Sequence, residues 1–227
     1  YMMMIKDFNL VVGCGLSGAV LARLLADSGN KVLIIDKKSH IAGNIYDYVD
    51  ENGICIHKYG SHIFHTSNEK VWRFLNRFTG FNTYMHRVIA LIDGIETFIP
   101  FNFNTLYDLF PQSLANCLET KLLEKFEYNK KVPILEFQKQ DDEDLKFLAN
   151  YVYEKVFLHY TAKQWGKNPN EIDSAVTARV PVYISKDTRY FQDKYQGIPL
   201  NGYTEMVKNI LNHPNIEIKL NTPYSKD

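Results

Sequence analysis

The sequence has no surplus of charge of either sign and no long apolar run. Twenty-six Lys plus Arg balance twenty-six Asp plus Glu over 227 residues. With no long single-sign block among them, neither nucleic acid nor an anionic membrane surface is an expected partner. No stretch reaches the roughly 20 apolar residues that a spanning helix requires. The apolar stretch from Leu10 runs into a glycine loop without the basic leader of a signal peptide. These absences predict a soluble, cytoplasmic protein without a membrane partner. Cysteine is scarce too: Cys14, Cys55 and Cys117 are odd in number and lack the paired spacing of a zinc site or a redox dithiol, which favours a reducing compartment. With no acidic or cysteine partner at ligand spacing, His57, His62 and His65 are not expected to hold a metal. What the chain has in quantity is apolar and aromatic side chain, 45% and 14% of its residues, enough for one large domain or two coupled ones.

Residues 8–12 form a short apolar run that stops at Gly13. From 17 to 28 the residues Val20, Leu21, Leu24 and Leu25 fall at helical spacing, and Gly29-Asn30 ends that helix. Residues 31–35 (KVLII) read as a second buried strand closing on Asp36, so the first 36 residues predict a βαβ unit. Residues 54–59 read as a further strand and 68–78 as a helix with Val71, Phe74, Leu75 and Phe78 on one face. Alternation over 84–100 around Asp93-Gly94 signals a hairpin. The spacing from 105 to about 160 is mostly helical, interrupted by the polar stretch 138–144. Residues 176–183 and 190–200 read as extended, 203–211 as an amphipathic helix, and 216–220 (IEIKL) as a strand.

Gly13-Cys14-Gly15-Leu16-Ser17-Gly18 matches GxGxxG between a strand and a helix. The first glycine permits the tight turn, the second lets the backbone approach a pyrophosphate, and the third lets helix and strand pack closely. The phosphates of a dinucleotide would sit at the helix N-terminus, where backbone N–H groups and the helix dipole favour an anion. Asp36, at the end of the next strand, suits both hydroxyls of an adenosine ribose and disfavours the extra phosphate of NADP. This unit alone leaves FAD and NAD open. The glycine-bearing turn in 37–44 (KKSHIAGN) resembles the extension by which FAD-binding folds carry the chain over their cofactor, with Ala42 where a second glycine is usual. Alanine tolerates fewer φ values there.

Taken together, GCGLSGAV at 13–20, HIAGN at 40–44, HKYGSHIFHT at 57–66, YTAKQWG at 160–166, ARVPV at 178–182 and YQGIPLNGYTEM at 195–206 resemble the bacterial UDP-galactopyranose mutases. The resemblance implies an α/β fold: a Rossmann-like FAD-binding βαβ unit with an inserted helical subdomain and an antiparallel sheet. It divides the chain into an FAD-binding part, 1–70 with about 202–227, and a substrate-binding region, 71–201, with a mobile loop at about 167–189. It also implies interconversion of UDP-galactopyranose and UDP-galactofuranose, with N5 of reduced FAD attacking the anomeric carbon to form a covalent flavin–sugar adduct.

Carried over by motif, Gly13, Gly15, Ser17, Gly18, Asp36, Lys37, Gly43, Asn44, His62 and Ile63 would bind FAD. Tyr160, Thr161, Gln164 and Trp165 would hold the nucleotide, with Trp165 stacked on the uracil. Arg179 would close over the diphosphate, where a guanidinium fork suits phosphate oxygens, and Tyr190 would contact the phosphates. Arg179 and His62, beside the flavin ring, are the expected catalytic pair. His86 stands where the family has an asparagine near the nucleotide, and Tyr183 where an arginine commonly follows Pro-Val. The resemblance implies UDP-galactose as substrate and a homodimeric assembly. Family enzymes also continue past 220 with a second flavin-binding segment and further phosphate-binding groups, so the chain to Asp227 is expected to be a truncated, inactive form. Two other readings stay open: an FAD-dependent amine oxidase-like oxidoreductase built on the same dinucleotide unit, and a non-catalytic nucleotide-binding fragment.

Overall fold

The computed structural model describes residues 8–158 and 181–225. The chain forms two compact units, one of residues 1–84 with 193–227 and one of residues 85–192.

The first unit is built on β1 (Phe8–Val12), α1 (Leu16–Asp27) and β2 (Lys31–Ile35). The strands pair in parallel, with Phe8 opposite Lys31. A last strand, β12 (Ile216–Lys219), adds to the far edge of β2, also parallel, so that β2 is the middle strand. The expected βαβ unit is therefore present and extended by one strand. A helix preceding β12, α7 (Gly202–Leu211), packs on α1. The contact face of α1 takes two of the four residues at helical spacing, Val20 and Leu25, which are partly buried against the core. Ala19, Ala22 and Ala26 are buried, while Leu21 and Leu24 are half exposed. Small side chains win because α1 must lie close to the loop before it and to Met206, Val207 and Ile210 of α7, which share that core.

Between β2 and α7 the same unit carries two smaller sheets. The strands β3 (Asp47–Val49) and β4 (Cys55–His57) form an antiparallel pair. The strand β11 (Tyr195–Pro199) lies between β5 (Phe64–Thr66) and β6 (Phe81–Thr83), antiparallel to both. The helix α2 (Glu69–Leu75) starts after Asn68, whose side chain accepts from Lys70 N–H and Val71 N–H. The expected boundaries at 70/71 and 201/202 differ from those observed, because β11 is the central strand of this sheet. It draws residues 71–84 and 193–201 into the unit that holds the parallel strands.

The second unit opens with the hairpin β7 (Val88–Ile92) and β8 (Ile95–Ile99), turning at Asp93 and Gly94, both at positive φ as a two-residue turn demands. The helices α3 (Phe103–Leu109), α4 (Gln112–Lys125), α5 (Ile134–Phe137) and α6 (Glu143–Val152) follow, and a π turn (Tyr153–Leu158) extends α6. Asn102 starts α3 in a capping box with Thr105, and Asp142 caps α6. Their inner faces meet in one core containing Phe103, Leu106, Leu118, Leu122, Phe137 and Leu148. A short strand, β10 (Val182–Tyr183), pairs with β9 (Lys131–Val132), and Ile184 is fully buried beside it. Within the expected mobile loop, Val182 and Tyr183 are thus packed strand, held by apolar side chains; residues 167–180 lie outside the described residues.

Candidate dinucleotide-binding site

The site lies at the carboxyl ends of the three parallel strands, where open α/β sheets bind their ligands. Gly13 takes a φ of 99° and donates its N–H to Ile35 O at 2.7 Å, tying the loop to the end of β2. A Cβ on Gly18 would lie 1.9 Å from Gly13 O, so the third glycine is required by the protein's own packing. A Cβ on Gly15 would meet nothing nearer than Gly43 Cα at 3.8 Å, an ordinary contact. The second glycine therefore leaves open space that the fold does not need. Gly15 is also the residue before α1, which has no side-chain cap and no acidic residue in its first turn. Its first N–H groups point out of the helix toward that space.

Asp36 is oriented by the backbone around it. Oδ2 accepts from Cys14 N–H at 2.7 Å and Oδ1 accepts from Lys38 N–H at 2.8 Å. Each oxygen keeps a further lone-pair direction, which is what two ribose hydroxyls require. The thiol of Cys14, between the glycines, is fully buried; that burial, together with the Asp36 carboxylate, pushes its pKa up to about 11. The thiol is neutral packing, not a nucleophile.

A cavity of about 550 Å³ is lined by Gly13, Gly15, Asp36, Lys37, Gly43 and Asn44 among others. A second, of about 330 Å³, adds Ser17 and Gly18. Eight of the ten residues expected to hold a cofactor thus line two spaces that share Gly13, Gly15 and Asn44. Ala42 adopts a left-handed φ of 70° in spite of its Cβ, fully buried and bridged to Gly15, and so keeps the turn a glycine would make. The other two, His62 and Ile63, line neither cavity. His62 N–H donates to His57 Nδ1 at 3.0 Å, and both rings stand edge-on to Tyr203. His57 does have an acidic and a cysteine neighbour, contrary to the sequence reading: pairing of β3 with β4 sets Asp47 opposite His57, with Cys55 two residues along the same strand.

In the second unit, Tyr190 N–H donates to His86 O at 2.8 Å, and the two rings meet edge to face at 5.8 Å. Two expected nucleotide residues, far apart in sequence, are thereby brought together. Tyr183 is buried, its ring accepting Lys131 at 5.8 Å and its hydroxyl donating to Asn129. Tyr160, Thr161, Gln164, Trp165 and Arg179 lie outside the described residues.

Comparison with known proteins adds to this geometry. Residues 11–78 match the model of an NAD(P)-binding Rossmann-like domain, and residues 155–227 match the model of UDP-galactopyranose mutase. A dTDP-fucopyranose mutase of Escherichia coli is 42% identical over 93% of this chain, and a probable UDP-galactopyranose mutase of Klebsiella pneumoniae is 39% identical over 93%. The chain belongs to the UDP-galactopyranose mutase family. It spans about half the length of these relatives, 55% and 54%. A crystal structure of reduced UDP-galactopyranose mutase superposes with a TM-score of 0.60 over 94% of this chain and 48% of that one; at 15% identity this speaks for the mutase fold alone.

Within this mutase-family fold, sequence reasoning missed Thr222, Pro223 and Tyr224, which line the larger cavity after β12. Thr222 N–H donates to Asp36 O and Asn221 N–H to Lys38 O, binding the segment to the end of β2. The available signal was the position just past a strand parallel to β2, the same edge as the glycine loop.

Proposed function

We propose that this chain is the FAD- and nucleotide-sugar-binding part of a mutase that interconverts UDP-galactopyranose and UDP-galactofuranose. The observation that carries the cofactor half is the cavity at the sheet edge. Space left by Gly15, the uncapped start of α1 and an Asp36 carboxylate fixed by two amides together match a pyrophosphate and an adenosine ribose. The nucleotide-sugar half rests on the mutase relatives and on the match over residues 155–227.

Reduced FAD would supply the nucleophilic nitrogen for the anomeric carbon, and the protein's residues the rest. Gly13, Gly15, Ser17 and Gly18 would hold the phosphates through backbone N–H groups; Asp36 would accept the ribose hydroxyls, with Lys37, Gly43 and Asn44 closing the turn. His62 and Ile63 would border the flavin ring. Trp165 would stack on the uracil beside Tyr160, Thr161 and Gln164. Arg179 would neutralise the departing diphosphate, where a fixed positive charge is worth most in a site that excludes water, Tyr190 would contact the phosphates, and His86 would border the nucleotide. The residues to Tyr84 and from Asp193 form the cofactor part of this reading, and those between them the substrate part.

The test is direct. Protein purified and reconstituted with FAD should be yellow, and UDP should quench its tryptophan fluorescence. Replacing Trp165 by alanine should weaken UDP by roughly 1–3 kcal/mol, the worth of one stacked base, with the flavin spectrum unchanged. A colourless protein after reconstitution would overturn the cofactor assignment, and equal UDP affinity in Trp165→Ala the nucleotide assignment. A second reading, that the nucleotide is dTDP, is favoured by the 42% identity to a dTDP-fucopyranose mutase and by His86 in place of the family's asparagine. Calorimetry with UDP and dTDP side by side decides between them by which binds tighter.

A further inference from the structure

Asp47, Cys55 and His57 converge within the first unit, and none of them lines the dinucleotide cavity. Cys55 and His57 are two apart on β4, so their side chains leave the strand on the same face. Asp47 is the cross-strand partner of His57 on β3. One ligand atom from each of the three lies within 4.8 Å of the others. We propose that this triad is a binding site for a thiophilic divalent cation of the zinc type.

The chemistry of the donors supports that class. A thiolate, an imidazole and a carboxylate form a mixed set that suits Zn²⁺ and excludes Mg²⁺ or Ca²⁺, which take oxygen ligands almost exclusively. The spacing also fits. In a tetrahedral site with Zn–S and Zn–O bonds of the usual lengths, sulfur and oxygen stand about 3.6 Å apart; Cys55 Sγ and Asp47 Oδ2 are 3.8 Å apart. Asp47 is the rigid member. It is buried, its Oδ2 accepts from Tyr203 N–H at 2.6 Å and its Oδ1 from Thr204 N–H at 2.8 Å, at the start of α7. Cys55 is exposed and His57 half-buried, so the cation has a route in and water can fill the fourth position.

Binding has two internal costs. The Cys55 thiol must release its proton to solvent, against the burial and the Asp47 charge that hold its pKa above the ordinary thiol value. His57 must give up a hydrogen bond. Its Nδ1 accepts the N–H of His62, which places the ring proton on Nε2. A cation on Nδ1 takes the lone pair that His62 uses, and a cation on Nε2 moves the ring proton to Nδ1, where it faces the same N–H. Either way the His62 amide is released. Metal occupancy is therefore coupled to the loop that carries His62, whatever that histidine does.

The probes are Zn²⁺ alone, titrated by calorimetry, and Cd²⁺, whose thiolate charge-transfer band in the ultraviolet reports a sulfur ligand. The expected result is one tight equivalent. Cys55→Ser should abolish the Cd²⁺ band, and both Cys55→Ser and His57→Gln should weaken Zn²⁺ by well over about tenfold, since even outer partners of ligands cost that much. Cys117→Ser should leave both signals unchanged. The serine and glutamine replacements keep size and polarity at positions outside the core, so circular dichroism should be that of the parent. Zn²⁺ should also shift the ¹⁵N-labelled His62 amide. Wild-type affinity in Cys55→Ser, or loss of the band in Cys117→Ser instead, would overturn the site; an unmoved His62 amide would overturn the coupling.

Discussion

Two glycines of one loop should fail in opposite ways when each is given a methyl group. At Gly18 the new Cβ would lie 1.9 Å from the carbonyl oxygen of Gly13, about 1.5 Å short of the 3.4 Å at which ordinary contact begins. Both groups are backbone, one in a helix and one in a turn that β2 holds through Ile35 O, so no side chain can move aside. Overpacking of this kind costs about 1–3 kcal/mol, and the rigid surroundings put Gly18→Ala at the upper end. At about 2–4 °C per kcal/mol for a chain of this size, the unfolding temperature should fall by roughly 6–12 °C. At Gly15 the methyl would touch only Gly43 Cα at 3.8 Å, and φ is −78°, open to any residue. The stability cost of Gly15→Ala should be roughly 1 kcal/mol or less, that of replacing glycine at a helix start. The methyl would instead enter the cavity, and FAD affinity should fall by about tenfold or more, 1.4 kcal/mol or above. Thermal unfolding followed by circular dichroism and an FAD fluorescence titration measure the two quantities on the same pair of proteins. A Gly18→Ala protein as stable as the parent, or a Gly15→Ala protein that binds FAD as tightly, would refute the division of labour between packing and ligand.

Asp36→Ala should lower both FAD affinity and stability, because Cys14 N–H and Lys38 N–H lose their acceptor, at roughly 1–3 kcal/mol for a buried donor; chemical denaturation of the FAD-free protein isolates the stability part, and an unchanged midpoint would contradict it. Asp47→Ala should destabilise the first unit by a similar amount, since Tyr203 N–H and Thr204 N–H at the start of α7 are left unpaired. An unfolding midpoint equal to that of the parent would show the cap to be dispensable. Cys14 should stay unreactive to an aromatic disulfide reagent up to about pH 10 while Cys55 and Cys117 react. Its raised pKa keeps the thiol protonated below about 11, and its burial keeps reagent out. A third fast thiol in the native protein would refute this.

The dinucleotide loop was legible because its information is local. The glycines, the helix and Asp36 sit within one βαβ unit, and geometry ties each residue type to its place. The hairpin at Asp93-Gly94 was legible for the same reason, since the turn needs positive φ at both positions. What sequence could not give was long-range pairing. Thr222, Pro223 and Tyr224 join the cavity only because β12 pairs with β2. Asp47 acquires its role by capping a helix some 156 residues further on. Hydrophobic spacing on α1 counts the larger side chains and finds Val20 and Leu25, but it passes over Ala19, Ala22 and Ala26, which close packing buries most deeply. The pairing of β9 with β10, two residues on each side, is too short to leave a periodic signal.

The order of strands also has a consequence for synthesis. The residues from Met85 to Gln192 are contiguous and can collapse as soon as they leave the ribosome, whereas the first unit draws on segments both before and after them. The free edge of β2 must wait for β12, about 180 residues later, which at about 5–20 residues per second is an interval on the order of ten to forty seconds. Throughout that interval Val32, Leu33, Ile34 and Ile35 stand on a nascent chain as an apolar, half-paired edge. That stretch is where a chaperone would bind, and where two nascent chains held close together on one message would first mispair.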